Sequence, residues 1–530
     1  MSRNLLAQVA LAEIPKILTL MDRNPHSSTY GCCDRNFWQY KIIDFPSGMA
    51  QEFALPLSLV YSLNLPNNPF YQQPNLRAWI KASLTFAAQN SHPDGSCDDY
   101  FPFERASGAA AFSLFACIKS YRLLKLNDDG ILQFFEKRAD WLAKHRESGR
   151  LANHEALIVL CLQLLRDLLK TSKWDRVRAR RLERLLSWQS SEGWFQEYGG
   201  FDPGYHTLTI SCLALLQDLQ PNDTVKKVLL KAVQLASEFI HPDGSYGGEY
   251  GSRNTYNFFP HGFELVGKWY PNALSINDTF LKGIAMGKLP CYADDHIVGH
   301  HVWNYLLAWK DFVPHRPPHK PRPTGRIWLQ QAGILIDRRQ DVELYLALNK
   351  GGVFKLFRHS QLLASDTQIS VQVNQGKRLQ NAVGHLIGNY DISLTENTIY
   401  IRGNLGWSKQ TQMTPLKLIT LRIVTMSIGR FFPNLIRSIL QKILITGNQK
   451  APFEFARQMD WQNGQWQITD QLKAKSWKSV HSVGIGSHQT SIYVVMSRVF
   501  QEGQLQPWLD LTHRVKTLGE GQALIVTRSL

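Results

Sequence analysis

Residues 188–213 read WQSSEGWFQEYGGFDPGYHTLTISCL. A Trp-Gln helix end runs into a Glu-Gly turn, an aromatic and acidic loop follows, and a Pro-Gly-Tyr-His step opens a new apolar helix. The stretch is a loop that presents polar groups, clamped between two helices. Its pattern recurs in HPDGSCDDYFPFERASGAAAFSLF from His92, in HRESGRLANHEALIVLCLQLL from His145 and in HPDGSYGGEYGSRNTYNFFPHGFELVG from His241. The turn glycines Gly95, Gly149, Gly193 and Gly244 are spaced by 54, 44 and 51 residues. Self-similarity at such a period, built from two helices and a loop, marks an array of helical hairpins.

Working outward, the segment from Asn4 to about Asp311 alternates between two kinds of helix. In NDTVKKVLLKAVQLASEFI, Val225, Leu229, Leu230, Val233, Ala236 and Ile240 follow helical spacing and the lysines fall outside it. ASGAAAFSLFACI and ALIVLCLQLL are instead nearly all apolar, and a helix apolar all round must be buried. Alternating outer and inner helices close into an (α/α) toroid of about six hairpins, with inner helices expected to start near Gly48, Ala106, Asn153, Gly204, Tyr256 and His296. The loops leading into the inner helices then crowd one mouth of the ring, where residues far apart in sequence converge.

VPHRPPHKPRPTGR, residues 313–326, is too rich in proline and positive charge for a helix or central strand and reads as a semi-rigid linker. Beyond it the period becomes alternating. In VELYLALNKGGVFKLFR, Val342, Leu344, Leu346 and Leu348 share one strand face before a Gly-Gly turn, and IYIRGNLGW, WQNGQWQIT and QALIVTRSL continue that character. The expected fold is therefore a multidomain α and β chain: an N-terminal incomplete (α/α) toroid over residues 1–312, expected to be the catalytic part, the linker, and a C-terminal antiparallel β-sandwich over residues 327–530. Residues 415–447 interrupt the sandwich with Lys417, Arg422, Arg430, Arg437 and Lys442 and no acidic residue. They read either as an ordinary packed insertion or as a basic amphipathic element on an anionic membrane surface, with Phe431, Phe432, Leu435, Ile439 and Leu440 among the headgroups.

Composition bounds the partners. Of 530 residues, 44% are hydrophobic and 19% charged, an ordinary globular balance that argues against disorder. The formal net charge of +16 favours an anionic partner: an acidic polysaccharide or oligosaccharide, and an anionic membrane surface. No Lys/Arg run is interleaved with aromatics, so nucleic acid is not expected. Seven cysteines, an odd number with no CxxC spacing, point to free thiols in a reducing compartment. The first helix carries Glu13 and Pro15 inside its apolar stretch, unlike a signal peptide, and no run reaches the roughly 18 apolar residues of a membrane span. The expectation is a cytoplasmic protein, peripheral to the inner face of the membrane.

Two dipeptides at inner-helix starts carry the chemistry, Asn153-His154 and Tyr205-His206. The bland alternative makes Asn153 an N-cap and Tyr205 and His206 loop-packing residues. Recurrence of the step at equivalent repeat positions favours a site. Trp38, Arg105, Trp194, Glu197, Arg253, Asn254, Tyr256 and His261, all in loops or helix starts at the same mouth, are expected to bind substrate. ADDHIVGHH places Asp294, Asp295, His296, His300 and His301 together, with His296 and His300 on one helix face, but reads as a polar helix start rather than a metal centre. No cofactor is expected.

At RLANHEALIVL and WQSSEGWFQEYGGFDPGYHTL the sequence resembles the heparinase II/III-like and alginate-lyase-like polysaccharide lyases, which join an (α/α) toroid to an antiparallel β-sandwich. The resemblance spans residues 75–310 in pattern. It implies β-elimination at a uronic acid, with Asn153 and His154 stabilising the substrate carboxylate and Tyr205 taking or delivering the proton. His206, Arg105 and Arg253 are added as base-tuning or charge-pairing groups, because a Tyr of ordinary pKa about 10 needs nearby cations to act as a base. The sandwich departs from the family: where it usually carries a His-x-His-x-Asp-like stretch, FRHSQLLASDTQISVQV has His359 and Asp366 at another spacing. Three alternatives stand beside a lyase. A glycoside hydrolase would use two of Asp99, Glu197, Asp202 and Glu249; a terpene cyclase, whose style QSSEGW at 189–194 approaches, would need an Asp-x-Asp-Asp acid where this chain has only Asp98-Asp99 and Asp294-Asp295; a membrane-proximal carbohydrate-binding or assembly protein would bind without turnover.

Overall fold

The computed structural model describes residues 3–147, 149–197, 199–292, 297–318, 321–376, 378–408, 412–441, 449–487, 497 and 499–530. Its helical part runs α1 (Asn4–Leu20), α2 (Ala54–Ser62), α3 (Pro74–Gln89), α4 (Ser107–Leu123), α5 (Asp129–Lys144), α6 (Ala152–Leu169), α7 (Asp175–Leu186), α8 (Pro203–Leu219), α9 (Asp223–Ser237), α10 (His261–Gly267), α11 (Ala273–Ala285) and α12 (Ile297–Lys310). Odd-numbered helices are the outer ones. α9 buries Val225, Leu229, Val233 and Ala236 and turns its lysines outward, whereas α4 and α6 are buried on almost every side. Each inner helix packs on the next around the ring, and α12 lies against both α1 and α2. This is the (α/α) toroid.

Local signals fix the helix starts. Asp128, Asp202 and Asn222 each cap a helix by accepting a backbone N–H two or three residues ahead. The fifth inner helix begins at His261, five residues later than the sequence suggests. Pro260 disfavours helix at the residue before it, so residues 254–259 stay irregular and Tyr256 remains in the loop.

After the linker come two antiparallel sheets. The first holds β1 (Gly325–Leu329), β2 (Ile334–Arg339), β3 (Val342–Ala347), β4 (Val353–Arg358) and β5 (Gln361–Asp366), paired in sequence order. The second holds β6 (Ile369–Gln375), β7 (Arg378–Val383), β8 (Asp391–Leu394), β9 (Thr398–Trp407), β10 (Lys450–Gln462), β11 (Gln465–Ala474), β12 (Val480–Ile485), β13 (Leu509–Asp510) and β14 (Ala523–Ser529). Their spatial order is β13-β12-β6-β7-β9-β10-β11-β14, with β8 beside β9. Val342, Leu344 and Leu346 of β3 pack into the core between the sheets with Val371, Ile401 and Phe455. The alternate residues Tyr345 and Ala347 join Ile334, Ile336 and Phe357 in the core continuous with the toroid. The first sheet is thus buried on both faces, and the molecule has three layers: toroid, inner sheet, outer sheet.

The linker lies along this junction. Arg316 pairs with Glu264 (2.7 Å) and Asp278 (3.3 Å), and Arg322 with Glu343 (3.1 Å). Between β9 and β10 the chain forms α13 (Pro415–Val424), a π-helical turn over Thr425–Gly429, and α14 (Pro433–Gln441). Among its described residues Thr425, Gly429 and Ile436 are buried and the large apolar side chains are mostly exposed, so a packed insertion does not describe it. Lys442 and the side chains of Arg437 and Leu440 lie outside the described residues. All seven cysteines are free thiols, buried except for Cys291.

Candidate active site at the mouth of the toroid

Three loops, described over residues 145–147 and 149–151, 188–197 and 199–202, and 241–260, converge where α6, α8 and α10 begin. The Asn153 N–H donates to Glu197 Oε1 at 2.9 Å, and Leu151 and Glu197 form an isolated β-bridge. Both side chains are buried, and burial pushes the Glu197 carboxyl up to about 7 against the lowering effect of Asn153. His154 Nδ1 lies 2.8 Å from Glu147 Oε2, which fixes the ring. A Cβ at Gly108 would lie 2.6 Å from the His154 ring, so glycine there is what lets the imidazole in. The Phe112 ring stacks on His300 and meets His154 edge-on.

Asp202 fastens the third loop to the head of α8. Its carboxylate accepts from the backbone N–H of Tyr205 (3.1 Å) and of Arg253 (2.9 Å) and from the Thr255 hydroxyl. Complete burial raises its pKa. Tyr205 is half-buried, while Arg253 and Asn254 are buried beside it in the loop. The Tyr256 hydroxyl donates to Glu249 Oε1. Burial pushes the Glu249 carboxyl up, but Lys355 at 3.1 Å and Tyr256 outweigh it and hold the group below the usual carboxylate range.

The sandwich supplies two cations that sequence reasoning missed. Lys350 Nζ donates to the carbonyls of Glu249 (2.6 Å) and Gly251 (2.9 Å) and to Asn254 Oδ1 (2.7 Å). Desolvation brings its pKa down to about 8. Lys355, almost wholly buried, reaches under Gly248, whose positive φ and close approach to the lysine stem exclude a side chain. Both lysines flank the Gly351-Gly352 turn of the β3–β4 hairpin, and that pairing of lysines with a Gly-Gly turn was the available signal. Asn257 was also missed. It is wholly buried near Gly204, and among the described residues neither its Oδ1 nor its Nδ2 finds a hydrogen-bond partner.

Not all expected residues gather here. His206 turns away from the mouth: it is wholly buried against Phe195 and Phe201, its Nε2 lies 3.0 Å from the Ala232 carbonyl, and burial lowers its pKa to about 4. His261 is buried with Nε2 2.8 Å from Asp311, at the C-terminal end of α12. Arg105, with φ of 52°, pairs with Asp94 at 2.8 Å in the neighbouring repeat. Trp194 donates through Nε1 to Glu192 (2.9 Å), whose carboxylate also receives the N–H groups of Gln331 and Ala332 from the sandwich. Trp38 donates to the Leu20 carbonyl at 2.7 Å, by the first repeat. His359 is on the surface beside Asp341, and Asp366 is buried among arginines, so neither stands at the mouth. Asp294, Asp295 and His296 lie outside the described residues. His300 is engaged by Glu52, and His301 is sandwiched between Phe259 and Tyr292. No group of three metal-ligating side chains occurs among the described residues.

A toroid of α-hairpins followed by stacked antiparallel sheets, with its polar loops at the toroid mouth, defines the structural class. No family model matches the sequence, and no curated protein matches it. Among solved structures the chain is similar to a chondroitin AC lyase variant from Streptomyces coelicolor A3, with a TM-score of 0.52, 10% identity, and 92% of this chain and 68% of that one covered. Similarity to Paenibacillus xanthan lyase has a TM-score of 0.48 at 10% identity, over 90% of this chain, which spans 46% of that protein's length. A GH127 β-L-arabinofuranosidase from Geobacillus stearothermophilus T6 gives 0.37 at 10% identity, covering 78% and 93% of the two chains. The chondroitin AC lyase overlay establishes the shared fold.

Proposed function

We propose that the chain is a lyase-like enzyme that cleaves a uronic-acid-containing anionic glycan by β-elimination at the toroid mouth. The observation that carries this reading is the convergence of Asn153, Glu197, Tyr205 and the Arg253–Asn254 loop within one hydrogen-bonded set of loops, with Lys350 and Lys355 adding positive charge from the sandwich. The fold shared with a chondroitin AC lyase supports the substrate class.

In the reaction a base removes the C5 proton of the uronate. The C–H electron pair becomes the C4=C5 double bond, the C4–O bond breaks, and the departing oxygen takes up a proton. Charge builds on the carboxyl group meanwhile, so donors aimed there lower the barrier. Asn153 and His154 neutralise the carboxylate, Tyr205 handles the proton, and Arg253 and Lys350 supply the field. His206 supports the head of α8 instead, because its ring faces Ala232.

The test is ultraviolet absorbance during incubation with uronate polymers, since the unsaturated product is conjugated with its carboxyl group. We expect a rise that Tyr205→Phe abolishes with the fold intact; a rise unchanged by that substitution removes Tyr205 from the reaction. New reducing ends without absorbance would mean hydrolysis. Saturable binding without either would mean a carbohydrate-binding or assembly role, a reading favoured by the absence of His359 from the mouth.

A further inference from the structure

Among the described residues, exposed large apolar side chains concentrate on α13, its π-helical turn and α14. Leu416 and Phe431 are each 74% exposed, Ile423 62% and Phe432 61%, and Met426 and Leu435 more than half. Lys417, Arg422 and Arg430 lie among them, and residues 415–447 contain no Asp or Glu. Monomer surfaces seldom leave so much contiguous apolar area in water. No helix among the described residues is long and apolar enough to cross a membrane. The element has the composition of one that lies in an interface, apolar side chains interspersed with basic ones.

Its attachment sets its position. Arg422 pairs with Asp44 at 2.8 Å and stacks over Phe45, and Arg430 stacks over Phe103. These partners belong to the loops leading toward α2 and α4, on the mouth side of the ring. The same loops expose Tyr40, Ile42 (71%) and Tyr100, extending the apolar surface along the rim.

We propose that this element docks on an anionic lipid bilayer and holds the toroid mouth at the membrane surface. Charge selects that occupant. A second copy of a chain carrying +16 would bring like charges together and offers no acid from this segment to meet its cations. An anionic headgroup layer matches the cations and accepts the apolar side chains together. The substrate is then a glycan carried at the membrane, a consequence that rests on the reading of the mouth as a glycan site; the docking itself does not.

The experiment is co-sedimentation of the full chain with phosphatidylglycerol/phosphatidylcholine vesicles and with pure phosphatidylcholine vesicles, without glycan. We expect binding to the anionic vesicles at least about tenfold tighter than to the neutral ones. It should fall at high salt and disappear in Phe431→Ser/Phe432→Ser, whose absorbance activity on soluble polymers is unchanged. Absence of sedimentation with anionic vesicles, or equal sedimentation of the double variant, overturns the proposal. So does a parent dimer in light scattering that the double variant converts to monomer, because the face is then covered by a second copy. Failure of the lyase reading leaves vesicle binding intact, so the two are separable.

Discussion

Asn257 is buried near Gly204 with neither end of its amide paired among the described residues, an arrangement that costs about 1–3 kcal/mol unless water or a ligand group pairs with it. An amide so placed is satisfied by ordered water or by a ligand group, and a place beside the head of α8 suits the ligand. Asn257→Leu, of similar shape, should therefore raise the unfolding temperature while lowering glycan turnover or affinity; lower stability with unchanged activity would make Asn257 structural. Glu197 offers a second residue-scale prediction. Its buried carboxyl titrates near 7 rather than at the 4.5 of a solvated one. Between those values the folded chain holds a proton that the unfolded chain has lost, so this group's contribution to stability declines as pH rises through that window and stays low above it. His206, titrating near 4, acts in the acid range: its contribution is lost as pH falls from about 6.5 toward 4. Glu197→Gln should accordingly gain on the parent between pH 5 and 8, by up to about 3 kcal/mol in denaturant melts. A constant difference across that range would mean that Glu197 ionises normally.

At the scale of elements, the two sheets are joined by a buried charge cluster in which Arg457 of β10 meets Asp366 of β5 (3.0 Å) and Asp470 of β11 (2.6 Å), with Arg528 of β14 closing the set. Arg457→Leu leaves two buried carboxylates with Arg528 alone and should cost about 3–5 kcal/mol in equilibrium unfolding, whereas a loss under 1 kcal/mol would mean that Arg528 suffices. The same cluster shows what a sequence hides. Asp366 sits in the stretch where the resemblance implies a lyase-like sandwich motif, yet its partners lie 91 and 162 residues away. The hairpin array was legible because helical periodicity and turn glycines are local. The converging loops were legible in outline because every inner helix begins at one mouth. The Tyr205-His206 step was only half legible: successive residues on a helix point about 100° apart, so when Tyr205 stands at the mouth His206 turns inward. Lys350 and Lys355 were missed because their partners lie in another domain, about a hundred residues away.

For the whole molecule the decisive element is the inner sheet, one face of which completes the toroid core and the other the sandwich core. Charged side chains pin this shared wall at several points: Arg338 to Glu238 (2.7 Å), the Gln331 and Ala332 N–H groups to Glu192, and Lys355 to Glu249. The contact between Lys355 and Glu249 lies directly behind the Tyr256 loop, so it couples the domain junction to the site. Lys355→Met strands the buried Glu249 carboxylate and should cost about 3–5 kcal/mol, whereas adding Glu249→Leu removes the uncompensated charge and should return most of that stability. Turnover should not return with it, because the double variant lacks the carboxylate that receives the Tyr256 hydroxyl and the cation beneath the loop. Recovery of stability and turnover together in the double variant would reduce the pair to a structural tie. Recovery of stability alone would make the sandwich a working part of the toroid's site.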